Sequence, residues 1–241
     1  MSKLKSNYMK FCYNCGIELT KENRTKEHIP AQNTFIGYPP EYKLNRLTVP
    51  ACLNCNNQYS KIDEEIRDAI GIMNDDDSKQ AELTRKAVES IMRNKDWSSR
   101  LDFKDGRVES VSFSYDTFKR LHIKNFKGLF YDKYGFPLPE EYQIEIIAEG
   151  DFENTKLDKI AQLLAGYLAD GGNFNVSGHP DIFQYKLKTL TPMSGGDLIN
   201  DSATIENALG VVGILIYHKN IEAIIIAAKK DFLENIHTKK E

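Results

Sequence analysis

Apolar side chains recur at helical spacing in several stretches of the chain, and this pattern predicts helices there. The predicted helices span residues 54–72, 79–94, 116–132 and 157–169. One side of the third helix is apolar and the other is basic, which indicates a half-buried helix. Its basic side consists of Lys119, Arg120, Lys124 and Lys127. In the second helix the residues expected to be buried are Leu83, Val88, Ile91 and Met92.

Other stretches alternate between apolar and polar residues or are continuously apolar, and these predict strands. The predicted strands cover 107–114, 142–148 and 182–190, and a hairpin covers 214–218 and 221–227. A charged break, Asn74-Asp75-Asp76-Asp77-Ser78, carries a helix N-cap signal and separates two sequence units. We therefore expect a first unit over residues 1–74 and a mixed α+β domain over 79–241, which is an ordinary domain size.

All four cysteines lie in two CxxC pairs, Cys12/Cys15 and Cys52/Cys55. A tight turn brings residues i and i+3 together, so each pair can bind one side of a tetrahedral ion. Two such pairs are the usual ligand set of a structural four-cysteine zinc site. The first unit has few apolar residues, and we expect the ion to replace part of the core that so short a segment lacks.

Composition narrows the class of protein without identifying it. Of 241 residues, 28% are charged and 41% are hydrophobic, which is typical of a soluble globular protein. No apolar run approaches a membrane span, and the polar, basic N-terminus does not resemble a signal peptide. Paired cysteines without such a signal indicate reduced thiolates on metal, so a cytoplasmic location without membrane partners is expected.

The charge distribution gives weak evidence on nucleic acid. The whole chain has a net charge of −3, while residues 1–71 hold ten lysines and arginines against eight aspartates and glutamates. Such a small local excess does not by itself predict a phosphate-binding surface.

The order CxxCG, Thr-x-Glu-His-Ile-Pro, Asn-x-Leu and Pro-x-Cys-x-x-Cys-Asn over residues 9–72 resembles the HNH endonuclease family in its zinc-containing ββα-metal form. The resemblance implies one strand through His28, a second near residues 46–49, and a helix that starts after Cys55. The expected fold class is therefore α+β, with a zinc-stapled ββα-metal module followed by a mixed α+β domain.

The residue types fit the chemistry that the resemblance implies. An imidazole that titrates near neutral pH suits a general base, which is the role implied for His28. The oxygens of Glu27 and Asn56 suit Mg²⁺ or Mn²⁺, and the resemblance makes them ligands of a catalytic ion. Glu27 and His28 are neighbours on a strand, so a bend or bulge is needed for both to reach one site. Asn45 is expected to hold the loop around His28 by hydrogen bonding.

This chain departs from many family members in carrying Glu27 in place of aspartate. Each signal also has a plainer interpretation. The cysteines alone would suit a zinc ribbon without chemistry, and Asn56 would suit the N-cap of its helix. Asp63, Glu64 and Glu65 are expected on the helix surface or in salt bridges. His122 is expected to pack in the core, and His179 lies in a predicted loop.

These observations predict a metal-dependent DNA endonuclease that uses a histidine base and one divalent ion, in bacterial or phage defence by analogy. RNA stays open as a substrate. The second unit is expected to contact DNA, to form a homodimer or to bind a regulatory partner protein. The alternative from another class is a non-catalytic zinc-binding adaptor for nucleic acid or for a partner protein.

Overall fold

The computed structural model describes residues 10–73, 81–93, 99–105, 107–112, 114–150, 157–169, 172–191, 205, 208–219 and 221–238. The charged break at 74–78 lies outside the described residues. The strands are β1 Arg24–Ile29, β2 Leu47–Cys52, β3 Leu101–Lys104, β4 Arg107–Val111, β5 Tyr142–Gly150, β6 Asn175–Val176, β7 Phe183–Leu190, β8 Gly210–Tyr217 and β9 Ile221–Lys229. The helices are α1 Leu53–Met73, α2 Ala81–Arg93, α3 Tyr115–Tyr134, α4 Lys159–Ala169 and α5 Lys230–Thr238.

The mixed α+β class is confirmed, and the N-terminal elements occur in the predicted order of strand, strand and helix. β1 pairs antiparallel with β2 in an unbroken register that runs from Arg24 opposite Cys52 to Ile29 opposite Leu47. Helix α1 follows β2 without a loop and packs on both strands. On α1, the predicted stripe Ile62, Ile66, Ala69 and Ile70 is buried.

Five of the described strands form the main antiparallel sheet, in the order β5-β9-β8-β7-β6. Because side chains alternate along a strand, each face of β8 and β9 receives every second residue. Val211, Leu215 and Ile225 join the core that includes the cysteines of the first unit and α3, whereas Val212 and Ile226 join a second core with α4 and α5. The sheet is thus covered on both faces, which explains its nearly continuous apolar strands.

Helix α3 lies between the first unit and the main sheet. It contacts β1, β2 and α1 on one side and β8 and β9 on the other. One continuous apolar cluster therefore runs from Cys12 and Ile29 through Phe126 to Ile225. Ser177, in the loop before β7, adds a polar tie, since its Oγ donates to Ile29 O and accepts from Leu47 N. The two sequence units therefore share this first core, whereas the second core with α4 and α5 belongs to the second unit alone.

Several details differ from the sequence expectations, among them helix α5 and strand β6, which the sequence pattern did not predict. Val88 and Met92 of α2 are exposed, at 45% and 83%, because α2 packs on α1 through a single stripe of Leu83, Ala87 and Ile91. The sequence pattern did not predict strand β3, which pairs with β4, because Leu101–Lys104 is short and largely exposed. None of the helices within the described ranges is long and apolar enough to cross a bilayer.

The contact between α3 and β1 predicts a matched pair of glycine effects. A Cβ on Gly128 would lie 2.5 Å from Ile29 Cδ1, whereas a Cβ on Gly166 of α4 would meet nothing within 4 Å. Gly128→Ala should lower the free energy of unfolding by about 1–3 kcal/mol through overpacking. Gly166→Ala should raise it by up to about 1 kcal/mol through helix propensity. Chemical denaturation of both variants measures this, and equal effects would contradict the close packing of α3 on β1.

Candidate metal centre and the surrounding charged groups

The four cysteines converge as their spacing predicts. Cys12 and Cys15 lie in a turn before β1, while Cys52 ends β2 and Cys55 lies in the first turn of α1. Their sulfur atoms all lie within 4.8 Å of one another, and Cys15 Sγ is 3.8 Å from Cys52 Sγ. Four sulfurs at about 2.3 Å from one zinc ion are about 3.8 Å apart in a tetrahedron, so the cluster fits zinc.

The neighbouring groups also suit thiolate ligands. Asn14 Nδ2 lies 3.3 Å from Cys55 Sγ and donates to it, and the Cys55 backbone N–H donates to Cys52 Sγ. Lys127 of α3 donates to the backbone and side-chain oxygens of Asn14, at 3.3 Å each. Burial raises the pKa of the Cys12 and Cys55 thiols, so a bound cation would be needed to keep these two deprotonated.

A second charged cluster lies where α1 and α3 cover the β1–β2 hairpin. The Lys124 ammonium is 3.2 Å from Glu27 Oε1 and 2.8 and 2.7 Å from Asp63 Oδ1 and Oδ2. The Lys124 side chain is fully buried, and those of Glu27 and Asp63 are 7% and 10% exposed. The ammonium also lies 5.2 Å from the centre of the Tyr59 ring. We call Glu27, Asp63 and Lys124 the buried ion triad.

One oxygen atom of the triad and one neighbouring hydroxyl group lack hydrogen-bond partners among the described residues. Glu27 Oε2 and the Tyr13 hydroxyl are buried without a hydrogen-bond partner among the described residues. Burial raises the pKa of both Glu27 and Asp63, although the positive charge of Lys124 opposes the shift. Burial also raises the pKa of Tyr13, and the charge of Glu27 adds to that effect.

Glu27 and Asn56 do come to the same side of the hairpin. Asn56 Nδ2 donates to Thr25 Oγ1 at 3.4 Å, and Thr25 lies two residues from Glu27 on one face of β1. The predicted catalytic Mg²⁺ or Mn²⁺ nevertheless does not fit this arrangement. Such an ion must keep open positions for phosphate and water, whereas Glu27 is buried and its carboxylate is already paired with Lys124.

His28 lies on the opposite face of β1 from Glu27. The predicted bend or bulge is absent, since the described β1–β2 register is continuous from residue 24 to residue 29. The His28 imidazole is half-buried, and no described residue hydrogen-bonds to it. Burial lowers its pKa, and the positive charges of Arg46, Lys124 and Lys26 lower it further. His28 is therefore neutral at pH 7, which is the form that accepts a proton.

Arg46 lies close enough to His28 for its charge to affect the histidine pKa, and it too has a polar atom without a hydrogen-bond partner among the described residues. Its Nε donates to Lys43 O at 3.1 Å, and its guanidinium lies 5.5 Å from the centre of the Phe35 ring. Its Nη1 is buried and has no acceptor among the described residues. A guanidinium held in this way can donate to an oxyanion. Lys26 is exposed two residues from His28 on the same face of β1. We call Lys26, His28 and Arg46 the basic face.

Asn45 does not make the predicted contact. Its side chain is exposed in the turn before β2, and it has no hydrogen bond to the loop around His28 within the described residues. Its backbone φ is +53°, in the left-handed region that asparagine tolerates better than most residues. Asn45 thus shapes the turn that starts β2.

The sequence did not predict the burial of Lys124 in this charged cluster. Asp63, Glu64 and Glu65 make salt bridges, as one of the two sequence expectations for them had it, and their partners are Lys124, Arg67 and Arg100. Lys124 was placed on a solvated basic side. The sequence feature that could have indicated its burial is its position between Leu121 and Phe126, which belong to the apolar stripe of α3. His122 is buried as predicted. The His179 ring stacks on that of Tyr42, with 3.6 Å between the two ring centres.

Comparisons with family models, curated proteins and solved structures find no match for this chain. The resemblance to HNH endonucleases therefore stays a prediction from the residues, and the conclusions below depend on the geometry of this chain.

The cysteine cluster predicts one tightly bound zinc ion per chain, measured by elemental analysis of purified protein. Cys52→Ser should remove it and unfold the whole molecule in one transition, because the cluster belongs to the continuous core. Leu53→Ser is the matched control, since Leu53 is 47% exposed beside Cys52. A wild-type protein that is folded without zinc would contradict the assignment.

Proposed function

We propose that this protein is a DNA endonuclease that hydrolyses phosphodiester bonds with His28 as general base, and that zinc has a structural role only. The observation that carries the proposal is the basic face. A neutral imidazole and a buried guanidinium N–H lie near each other, and neither has a hydrogen-bond partner among the described residues. Both are on a hairpin whose second strand ends in the cysteine cluster. This combination suits an incoming phosphate and an attacking water.

Each residue of the basic face has a distinct task. The His28 imidazole takes a proton from the water as it attacks phosphorus. The bond between phosphorus and the leaving oxygen breaks, and that oxygen takes up a proton from solvent. Arg46 and Lys26 donate to the non-bridging phosphate oxygens and offset the charge that develops on them. The cysteine cluster holds Cys52, at the end of β2, and thereby fixes the hairpin that presents His28. Glu27 takes no part in the reaction, because it faces the other side of β1.

The family resemblance adds a divalent ion, Mg²⁺ or Mn²⁺, with Glu27 and Asn56 as ligands. The buried ion triad opposes this detail, so the proposal assigns no step to such an ion. RNA stays open as a second substrate, because the contacts proposed here are to phosphate. Roles in defence, in dimerisation or with a regulatory partner stay predictions from the sequence.

The catalytic assignment predicts that His28→Ala lowers plasmid nicking by roughly 10²–10⁴-fold while zinc content and melting temperature stay unchanged. Glu22→Ala is the control on the same hairpin, since Glu22 is exposed in the turn before β1. Both proteins are assayed with Mg²⁺, with Mn²⁺ and with a chelator that leaves the zinc in place. Wild-type rates from His28→Ala would rule out the imidazole as the base.

The phosphate role of Arg46 predicts a change in the salt dependence of DNA binding. If Arg46 contacts one phosphate, Arg46→Gln should reduce the slope of log K against log salt by about 1. Lys43→Gln is the control, because Lys43 is an exposed cation three residues away and lies outside the basic face. Fluorescence anisotropy of a labelled duplex at several salt concentrations gives the slopes. Equal slopes for wild type and Arg46→Gln would remove Arg46 from the interface.

One observation favours the alternative, a zinc-binding adaptor that binds nucleic acid or a partner protein without chemistry. Glu27, which the resemblance makes a catalytic ligand, is buried in the ion triad instead. DNA binding that weakens in Arg46→Gln, together with no nicking under any metal condition, would support the adaptor and contradict the endonuclease.

A further inference from the structure

We infer that the ammonium group of Lys124 stands in the place of a divalent ion between Glu27 and Asp63, so the wild-type protein does not bind Mg²⁺ or Mn²⁺ there. This inference is independent of whether the chain cleaves DNA. The cation between the β1 and α1 carboxyl groups is the Lys124 ammonium group and not a metal ion.

The positions of the three groups support this inference. The Lys124 ammonium contacts both carboxylates at 2.7–3.2 Å, so it occupies the space that an ion bridging them would need. Hard divalent ions bind carboxylate oxygens at about 2.0–2.6 Å, which leaves no room for a second cation beside the ammonium. Lys124 comes from α3, the helix that is packed against both the hairpin and the main sheet.

The burial of the triad makes the ammonium a fixed part of the fold. Lys124 is fully buried, and a buried charge that loses its partner is strongly destabilising. Gly128, one turn further along α3, packs directly on Ile29 of β1 and fixes the height of the helix over the hairpin. Movement of α3 as a whole away from the carboxylates would disrupt the shared core.

The charge balance also indicates that the carboxylates could accept more positive charge than they have. One ammonium faces two carboxyl groups, and Glu27 Oε2 has no hydrogen-bond partner among the described residues. A divalent ion would neutralise both carboxylates. If the lysine side chain were removed, two adjacent carboxyl groups would therefore form an oxygen donor set of the kind that Mn²⁺ prefers.

The test is a Mn²⁺ titration of zinc-loaded full-length protein, in which loss of the free-ion electron paramagnetic resonance signal counts bound ions. Wild type and Glu27→Gln should bind equally little Mn²⁺. Lys124→Ala should bind about one ion per chain, and Lys124→Ala combined with Glu27→Gln should lose it. Lys119→Ala is the matched control, since Lys119 is an exposed lysine on the same helix.

The outcomes separate this inference from the proposed function. Mn²⁺ binding by wild type that Glu27→Gln abolishes would overturn the inference, as would a folded Lys124→Ala that binds no ion. If Lys124→Ala does not fold, the comparison of wild type with Glu27→Gln still decides. Nicking is scored on the same samples. Cleavage that survives Glu27→Gln leaves both conclusions standing, whereas no cleavage with no bound Mn²⁺ supports the inference and defeats the endonuclease.

Discussion

The buried charge of Lys124 constrains the arrangement of every element around it. An ammonium group with no access to water must be paired, and its partners come from β1 and α1. The ion pairs therefore tie α3 to both the hairpin and α1. The same helix carries Lys127 to Asn14 beside the cysteine cluster, so two cations of α3 are tied to the first unit. The geometry of the segment that carries the four cysteines therefore depends on a helix from the other sequence unit.

This dependence changes the meaning of the boundary at residues 74–78. Composition and the charged break predicted two sequence units, the first of them stabilised by zinc. The structure instead shows an apolar cluster in which residues of the cysteine turns, the hairpin, α3 and the main sheet all take part. The four cysteines lie at one end of that cluster, and the first unit, α3 and the main sheet all contribute buried apolar residues to it. A nuclease or an adaptor built in this way would transmit strain between its two parts, because close-packed interiors have little slack.

The local elements were predictable because their signals lie within short stretches of sequence. The α1 stripe, the β8–β9 hairpin and the four cysteines follow from spacing alone, and each is present where it was expected. The burial of Lys124 and its pairing with Asp63 could not be predicted in this way, because the two residues are about sixty positions apart in the sequence. Helical periodicity places a residue on a side of a helix and does not reveal what covers that side. The face of His28 was misjudged for a related reason, since a strand without a bulge separates neighbours strictly.

The β1–β2 hairpin places on opposite faces the acidic and basic groups that the sequence analysis had assigned to one site. On one face, acidic groups are buried around a lysine and are closed to solvent and substrate. On the other, a neutral histidine and an arginine with an unused N–H lie near each other, and the histidine is only half-buried. If a protein exchanges a metal ion for an ammonium, it gains a charge that chelators cannot remove, but it loses the open coordination positions that activate water. Any hydrolysis by this chain must therefore draw its positive charge from the basic face, and this is why Arg46 matters more to the proposal than Glu27.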